Sequence, residues 1–150
     1  MKIGVGADHR GYKTKDKLVK YLKKKNVEYV DFGTNSVDSA DYNDYAYLVC
    51  KAVLDGEVDR GILICGTGIG MSIAANKMKG IMCAKIDNSK EARLCIEHNH
   101  ANVIAFSASK SSIEMKDMID EFLKASPIEE EKYIRRIEKI EALEKKHSYK

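Results

Sequence analysis

The chain has no apolar run long enough to cross a membrane, since a spanning helix needs about 20 consecutive apolar residues. Its opening residues, Met1-Lys2-Ile3-Gly4-Val5, read as the start of a strand and lack the pattern of a secretory signal. Charge of one sign is also scarce. The 26 basic and 23 acidic residues leave a formal net charge of +3, and the basic residues are spread out. A nucleic-acid binder would show a basic face or stripe, so no nucleic-acid partner is expected. No membrane partner is expected either, and the predicted compartment is the cytoplasm.

Cysteine is sparse. Cys50, Cys65, Cys83 and Cys95 form no C-x-x-C pair and do not match zinc-ribbon spacing. In a cytosolic chain they stay reduced, and Cys50, Cys83 and Cys95 sit in apolar contexts that suit small core residues. Two nucleotide fingerprints are missing as well. Gly4-x-Gly6 lacks the third glycine of the dinucleotide motif, and Gly66-x-Gly68-x-Gly70 has the wrong spacing because Met71 stands where that glycine belongs. Neither run leads into the Gly-Lys-Ser/Thr of a Walker-type phosphate loop. There is no internal repeat and no low-complexity linker.

What is present is an alternation of strand and helix signals over 150 residues, enough for one substantial core. Ile3–Ala7 reads as a strand and Thr14–Lys25 as a helix with Leu18, Val19 and Leu22 on its apolar stripe. Glu28–Phe32 is a second strand. A helix capped by Asp41 or Asn43 runs to about Leu54, with Ala46, Val49, Cys50 and Val53 inward. Then come a strand over Gly61–Cys65, a helix over Gly70–Met78 and a strand over Ile81–Ile86. A helix capped by Ser89 follows, then a strand over Val103–Ser107. A last helix, capped by Ser111 or Ser112 with Glu114 completing a capping box, reaches about Lys124. Strands alternating with helices predict a five-stranded parallel sheet covered on both faces, a Rossmann-like three-layer α/β/α sandwich.

The single proline falls in Ser126-Pro127, which ends the preceding helix. Glu129–Lys146 then reads as a charged helix with a narrow stripe of Ile134, Ile137, Ile140 and Leu143. The chain is therefore one domain over residues 1–150, with a sheet unit over 1–125 and a C-terminal dimerisation helix over 128–147. The sheet unit already has its helices, so the stripe is expected to dock on a partner subunit.

The chemistry concentrates at Ile62-Leu63-Ile64-Cys65-Gly66-Thr67-Gly68-Ile69-Gly70-Met71-Ser72. A buried strand stops at a thiol, turns through glycines and opens a helix. That places Cys65 at the carboxyl edge of the sheet, where open α/β proteins bind ligands. Backbone N–H groups converge in such a turn, and the helix N-terminus adds positive potential that favours a thiolate. Asp8 and His9 emerge from the first strand at the same edge. The loop His98-Asn99-His100-Ala101-Asn102 is expected there too. No carboxylate or cysteine partners stand at ligand spacing beside its histidines, so no metal is expected. Two reaction classes fit a thiol beside an oxyanion nest: nucleophilic attack by Cys65, or proton transfer beside a carbonyl with Cys65 as base. The residues alone leave both open.

At this point the residues resemble a family. Gly6-Ala7-Asp8-His9, Asp31-Phe32-Gly33-Thr34, Asp41-Tyr42, Gly56-Glu57-Val58-Asp59, the segment from Ile64 to Lys77, and His98-Asn99-x-Ala101-Asn102-Val103 are similar to type B ribose-5-phosphate isomerases. The wider family includes the galactose-6-phosphate isomerase subunits. The resemblance implies a homodimer or dimer of dimers with its active site at the subunit interface, and neither metal nor cofactor. It implies interconversion of ribose 5-phosphate and ribulose 5-phosphate through a cis-enediolate. Cys65 would move the proton between C1 and C2. Thr67 and the loop Gly66, Gly68, Ile69, Gly70 would hold the enediolate. His98 would open the sugar ring, and Asn99 would bind a hydroxyl or the intermediate. Asp8 and Tyr42 would line the sugar site. His9 would contact the phosphate together with Lys132 and Arg136 of the C-terminal segment.

The departures from the family sit at the phosphate end. Lys132 stands for an arginine, keeping charge but losing the bidentate fork. Ser109 stands for an arginine after the last strand, Met82 for an arginine, and Asn43 for a proline. Two other readings follow: an isomerase of allose or galactose 6-phosphate, or a non-catalytic sugar-phosphate-binding subunit.

Overall fold

A computed structural model of the chain describes residues 1–147. Strands and helices alternate as β1 (Lys2–Ala7), α1 (Tyr12–Lys24), β2 (Glu28–Asp31), α2 (Tyr42–Leu54), β3 (Arg60–Cys65), α3 (Ile69–Asn76), β4 (Cys83–Lys85), α4 (Ser89–Glu97), β5 (Val103–Ser107) and α5 (Ser112–Lys124). A final helix, α6, spans Glu131–His147. The strands form one sheet in the order β2-β1-β3-β5-β4, and every pair is parallel. This is the three-layer sandwich expected from the alternation. Among the described residues no helix is long and apolar enough to cross a membrane.

The chain leaves β1 toward β2 and then crosses back to place β3 on the other side. Strand order therefore reverses between β1 and β3. In open parallel sheets such a reversal opens a crevice at the carboxyl ends of the two strands. The residues that follow β1 and β3 are Asp8-His9 and Gly66-Thr67, so topology alone brings the two chemical loops together.

Side chains alternate across the strands with period two. Ile62 and Ile64 of β3 and Ile104 and Phe106 of β5 join Leu18, Leu22, Met115, Met118 and Phe122 beneath α1, α4 and α5. Leu63, Cys65, Val103 and Ala105 point the other way, into the layer of α2 and α3 with Ala46, Val49, Cys50 and Met71. That alternation fixes the side on which the Cys65 thiol emerges. Helix α2 comes unusually near the sheet: a Cβ on Gly61 would lie 2.7 Å from Cγ1 of Val49. Gly61→Ala is expected to destabilise the fold by about 1–3 kcal/mol through overpacking. Urea denaturation checks this, and an unchanged midpoint would mean that α2 shifts freely.

The element boundaries differ from the sequence expectation where local hydrogen bonds compete. Strand β4 is shorter than Ile81–Ile86 because Ile81 N–H bonds to Met78 O at 3.0 Å and Met82 N–H bonds to Asn102 Oδ1 at 2.8 Å. Asn88, not Ser89, caps α4, its Oδ1 accepting Glu91 N–H at 2.9 Å. Ser111 and Glu114 form the expected capping box on α5. Asp41 holds the N-cap position of α2 but makes no side-chain cap bond.

One ion pair lies inside. Lys15 of α1 is only 1% exposed, and its Nζ meets the two Asp31 carboxylate oxygens at 2.6 and 2.7 Å. Asp31 Oδ1 also accepts Gly33 N–H at 2.9 Å. The segment after β2 is thereby held against β1, where Thr34 N–H bonds to Ala7 O at 2.7 Å, directly before Asp8.

Helix α6 touches its own domain, the alternative to docking on a partner subunit. Ile137 is buried within the chain, and Glu144 accepts Gly80 N–H at 3.1 and 3.2 Å. Ile140 and Leu143 remain exposed beside a groove lined by Ile81, Met82 and Cys83. The stripe thus divides into a part covered by this chain and a part that this chain leaves open.

Candidate active site

Strand β3 delivers Cys65 and then turns sharply into α3. The turn depends on Gly68, whose φ is +84°, a value that side-chain-bearing residues rarely adopt. A Cβ there would also come within 2.9 Å of the Phe106 backbone carbonyl carbon. The conformation aims Gly68 N–H at the Cys65 sulfur, at an N···Sγ distance of 3.1 Å. Thr67 Oγ1 accepts Ile69 N–H at 3.1 Å. The thiol is 4% exposed, lies before the N-terminus of α3 and receives a backbone donor.

The opposite wall comes from β1 and the start of α2. Asp8 is buried, and its Oδ1 accepts Gly11 N–H at 2.9 Å. His9 Nδ1 lies 3.1 Å from Ala40 N and 3.2 Å from Ala40 O, so the backbone fixes the ring. The Tyr42 ring packs on Gly70 so closely that a Cβ at Gly70 would meet Tyr42 Cζ at 2.8 Å. Between these walls is a cleft of about 350 Å³ lined by Asp8, His9, Tyr42, Cys65, Gly66, Thr67 and Gly70 among others. Seven residues expected from sequence to share one site do share it.

Gly68 and Ile69 differ from that expectation. They shape the cleft without lining it. Gly68 N–H is engaged by the sulfur and Ile69 N–H by Thr67, while the Ile69 side chain faces solvent. Five lining residues have no site role in the sequence reading: Arg10, Ser39, Ala40, Asp41 and Asn43. The signal for Arg10 was present: it directly follows His9 in the turn after β1.

The larger correction concerns His98 and Asn99, expected at the same sheet edge as Cys65. They lie at the opposite edge. A crossover helix in a parallel sheet runs back against the strands, so the loop after α4 reaches the amino ends. Asn102 in that loop accepts Gly61 N–H at 2.9 Å, at the beginning of β3. Cys65 closes the same six-residue strand, about 15–20 Å away. Lys132 and Arg136 are also outside the cleft.

His98 and Lys132 meet on one residue of α6, Tyr133. The rings of His98 and Tyr133 stack, with centroids 4.6 Å apart and planes 10° apart. Lys132 Nζ lies 5.0 Å from the centroid of the same Tyr133 ring. Ile128 N–H donates to Glu97 O at 3.0 Å, and His100 Nε2 is 3.3 Å from Ile128 O. The start of α6 is therefore clamped to the histidine loop, and Lys132 accompanies the imidazole.

Cys50 and Cys95 are buried in the core as the sequence suggested, whereas Cys83 is half-buried and lines the groove beside α6. Burial pushes Cys50 up to about 12 and Cys95 up to about 11, and it raises Cys83 as well. Raised thiols remain protonated and unreactive near neutral pH. Iodoacetamide at neutral pH is expected to alkylate Cys65 first, with turnover lost in proportion. Peptide mass spectrometry checks this, and an adduct on Cys83 ahead of Cys65 would contradict it.

Comparison with known proteins finds relatives over nearly the whole chain. The ribose/galactose isomerase family profile matches residues 3–140. Ribose-5-phosphate isomerase B of Escherichia coli is 41% identical over 147 residues, covering 98% of this chain and 99% of that protein. The ribose-5-phosphate isomerase B structure from Clostridium thermocellum superposes with a TM-score of 0.95 at 46% identity, covering 99% of this chain and 100% of that one. The Mycoplasma genitalium ribose-5-phosphate isomerase B, solved with bound ribulose-5-phosphate, superposes with a TM-score of 0.89 at 40% identity, covering 96% of each chain.

Proposed function

The chain belongs to the ribose/galactose isomerase family, and from that membership we propose how its residues carry out the reaction. It is an aldose–ketose isomerase that interconverts ribose 5-phosphate and ribulose 5-phosphate. The observation that carries the mechanism is the Cys65 sulfur, held by the Gly68 N–H and open to a cleft with its glycine turn.

Isomerisation needs a base that removes a proton from C2 of the open-chain aldose and returns it to C1. Cys65 is that base. The enediolate formed between the two steps carries negative charge on oxygen. The Thr67 hydroxyl and the cleft-lining part of the turn, Gly66, Thr67 and Gly70, meet it with donors fixed in place before the reaction, which is the condition for effective electrostatic stabilisation. Asp8 and Tyr42 hold sugar hydroxyls, and His9 meets the phosphate.

His98 opens the furanose by acid–base transfer between ring oxygen and anomeric hydroxyl, and Asn99 binds the sugar beside it. Neither reaches Cys65 within one chain, so a second copy supplies them. Lys132 accompanies His98 through the Tyr133 ring, and Lys132 and Arg136 add positive charge for the phosphate. The homodimer is thus a requirement of the mechanism. The exposed stripe of Ile140 and Leu143 offers apolar surface for it.

The second reading keeps this mechanism and lengthens the substrate to allose or galactose 6-phosphate. It is favoured by Lys132 and Ser109, which stand where the family has arginine. Side-by-side assays with ribose 5-phosphate and allose 6-phosphate decide between them. Higher kcat/KM for the pentose is the expected result. A strong hexose preference would replace the substrate and retain the base.

A further inference from the structure

Arg10 is assigned no role by the resemblance, yet it occupies a defined place in the cleft. It follows His9 in the turn that Asp8 closes onto Gly11. Its side chain folds back over the cysteine loop. A Cβ on Gly66 would lie 2.9 Å from Arg10 Cδ and 3.2 Å from Nη1. The guanidinium therefore rests on the bare Cα of the residue after Cys65. Among the described residues, no carboxylate or carbonyl is recorded as its partner.

The other positive charges near this edge are engaged or absent. Lys110 Nζ lies 4.0 Å from the Asp87 carboxylate, which also takes Lys85 Nζ at 2.6 Å. Ser109 is short and self-contained. Ser107 Oγ donates its proton to Gly66 O at 2.7 Å. The 2.7 Å contact between the two serine hydroxyls must then be donated by Ser109, whose N–H also reaches Ser107 Oγ at 3.1 Å. His9 commits one ring nitrogen to Ala40. Among the lining residues, Arg10 is the only one with a permanent positive charge.

We propose that Arg10 is a phosphate-binding residue that determines the affinity of this chain for phosphorylated sugars. A planar guanidinium without a counter-ion, facing a concave site, is shaped for bidentate contact with a phosphate. The assignment rests on the isomerase reading for the identity of the substrate. Proton transfer takes place at C1 and C2, whereas the phosphate on C5 keeps its charge throughout. A contact to it is equally strong in the ground state and the transition state. Such a contact lowers KM and leaves kcat nearly unchanged.

Arg10→Met keeps an unbranched stem and removes the charge. Arg10→Lys keeps the charge and removes the fork. Two quantities are measured for each variant and for the wild-type enzyme: kcat and KM with ribose 5-phosphate, and the affinity for inorganic phosphate by calorimetry. Circular dichroism confirms folding of this exposed position. In Arg10→Met both KM and the phosphate Kd are expected to rise about tenfold or more, with kcat within about threefold. Arg10→Lys is expected to recover part of the loss. Wild-type KM and wild-type phosphate affinity in Arg10→Met would overturn the proposal. So would a fall in kcat with KM unchanged, since that would make Arg10 a support for the cysteine loop. A wild-type protein that binds phosphate without turning over ribose 5-phosphate would overturn the isomerase reading instead, and the phosphate titration would still decide the role of Arg10.

Discussion

Cys65→Ala is expected to lower kcat for ribose 5-phosphate by about a thousandfold, in the middle of the range for losing a general base. The argument is geometric. Cys65 is the only cysteine lining the cleft, and its sulfur has a backbone donor at 3.1 Å. Alanine removes one buried sulfur atom and with it the partner of Gly68 N–H, while the Thr67 Oγ1 to Ile69 N–H bond and the glycine at the positive φ of the turn remain. KM is expected to stay within about threefold, since the groups proposed to bind sugar and phosphate remain. The test is steady-state kinetics on a variant shown by circular dichroism and thermal melting to be folded. Retention of more than about a tenth of wild-type kcat, far above the expected loss, would remove the base assignment. In that event, another group would have to move the proton.

The second large effect concerns two inactive proteins that regain activity when mixed. Cys65 and His98 lie at opposite edges of one sheet, and in the proposed homodimer each complete site takes its thiol from one subunit and its imidazole from the other. Cys65→Ala and His98→Ala homodimers are each expected to be nearly inactive. After subunit exchange at equal concentrations, half the dimers are mixed. In each mixed dimer, one site carries both mutations and the other carries none. Activity is therefore expected to return to about a quarter of the wild-type value, from the statistics of a two-fold assembly. Partial unfolding followed by refolding together, with native mass spectrometry to count the mixed dimers, makes the measurement. Mixed dimers without activity would falsify the shared site, because two groups acting within one subunit cannot complement each other.

Much of the site could be read from the sequence because it lies close to strand ends. The apolar run Ile62-Leu63-Ile64 announces a buried strand, and the glycines after Cys65 announce the turn. A parallel sheet then requires Asp8, His9 and Gly66 at a common edge. Short-range rules were sufficient for the capping box at Ser111 as well. They failed at β4, where Asn102 takes the N–H of Met82 from a distance of 20 residues. No local pattern announces such a contact. The burial of Lys15 was equally invisible, since its partner Asp31 belongs to another element.

The sequence by itself determined the fold class, the thiol in its glycine turn and the family. Each is written in contiguous residues, whose periodicity and backbone freedom are local properties. Only the tertiary structure decided which residues share a cleft. It set Arg10 against Gly66, directed Gly68 N–H onto the sulfur and turned the Ile69 side chain outward. It also moved His98 to the far edge, because a right-handed crossover returns each helix antiparallel to its strands. Position at a sheet edge depends on the direction of the chain at that point, and direction is settled only when the strands have found their neighbours.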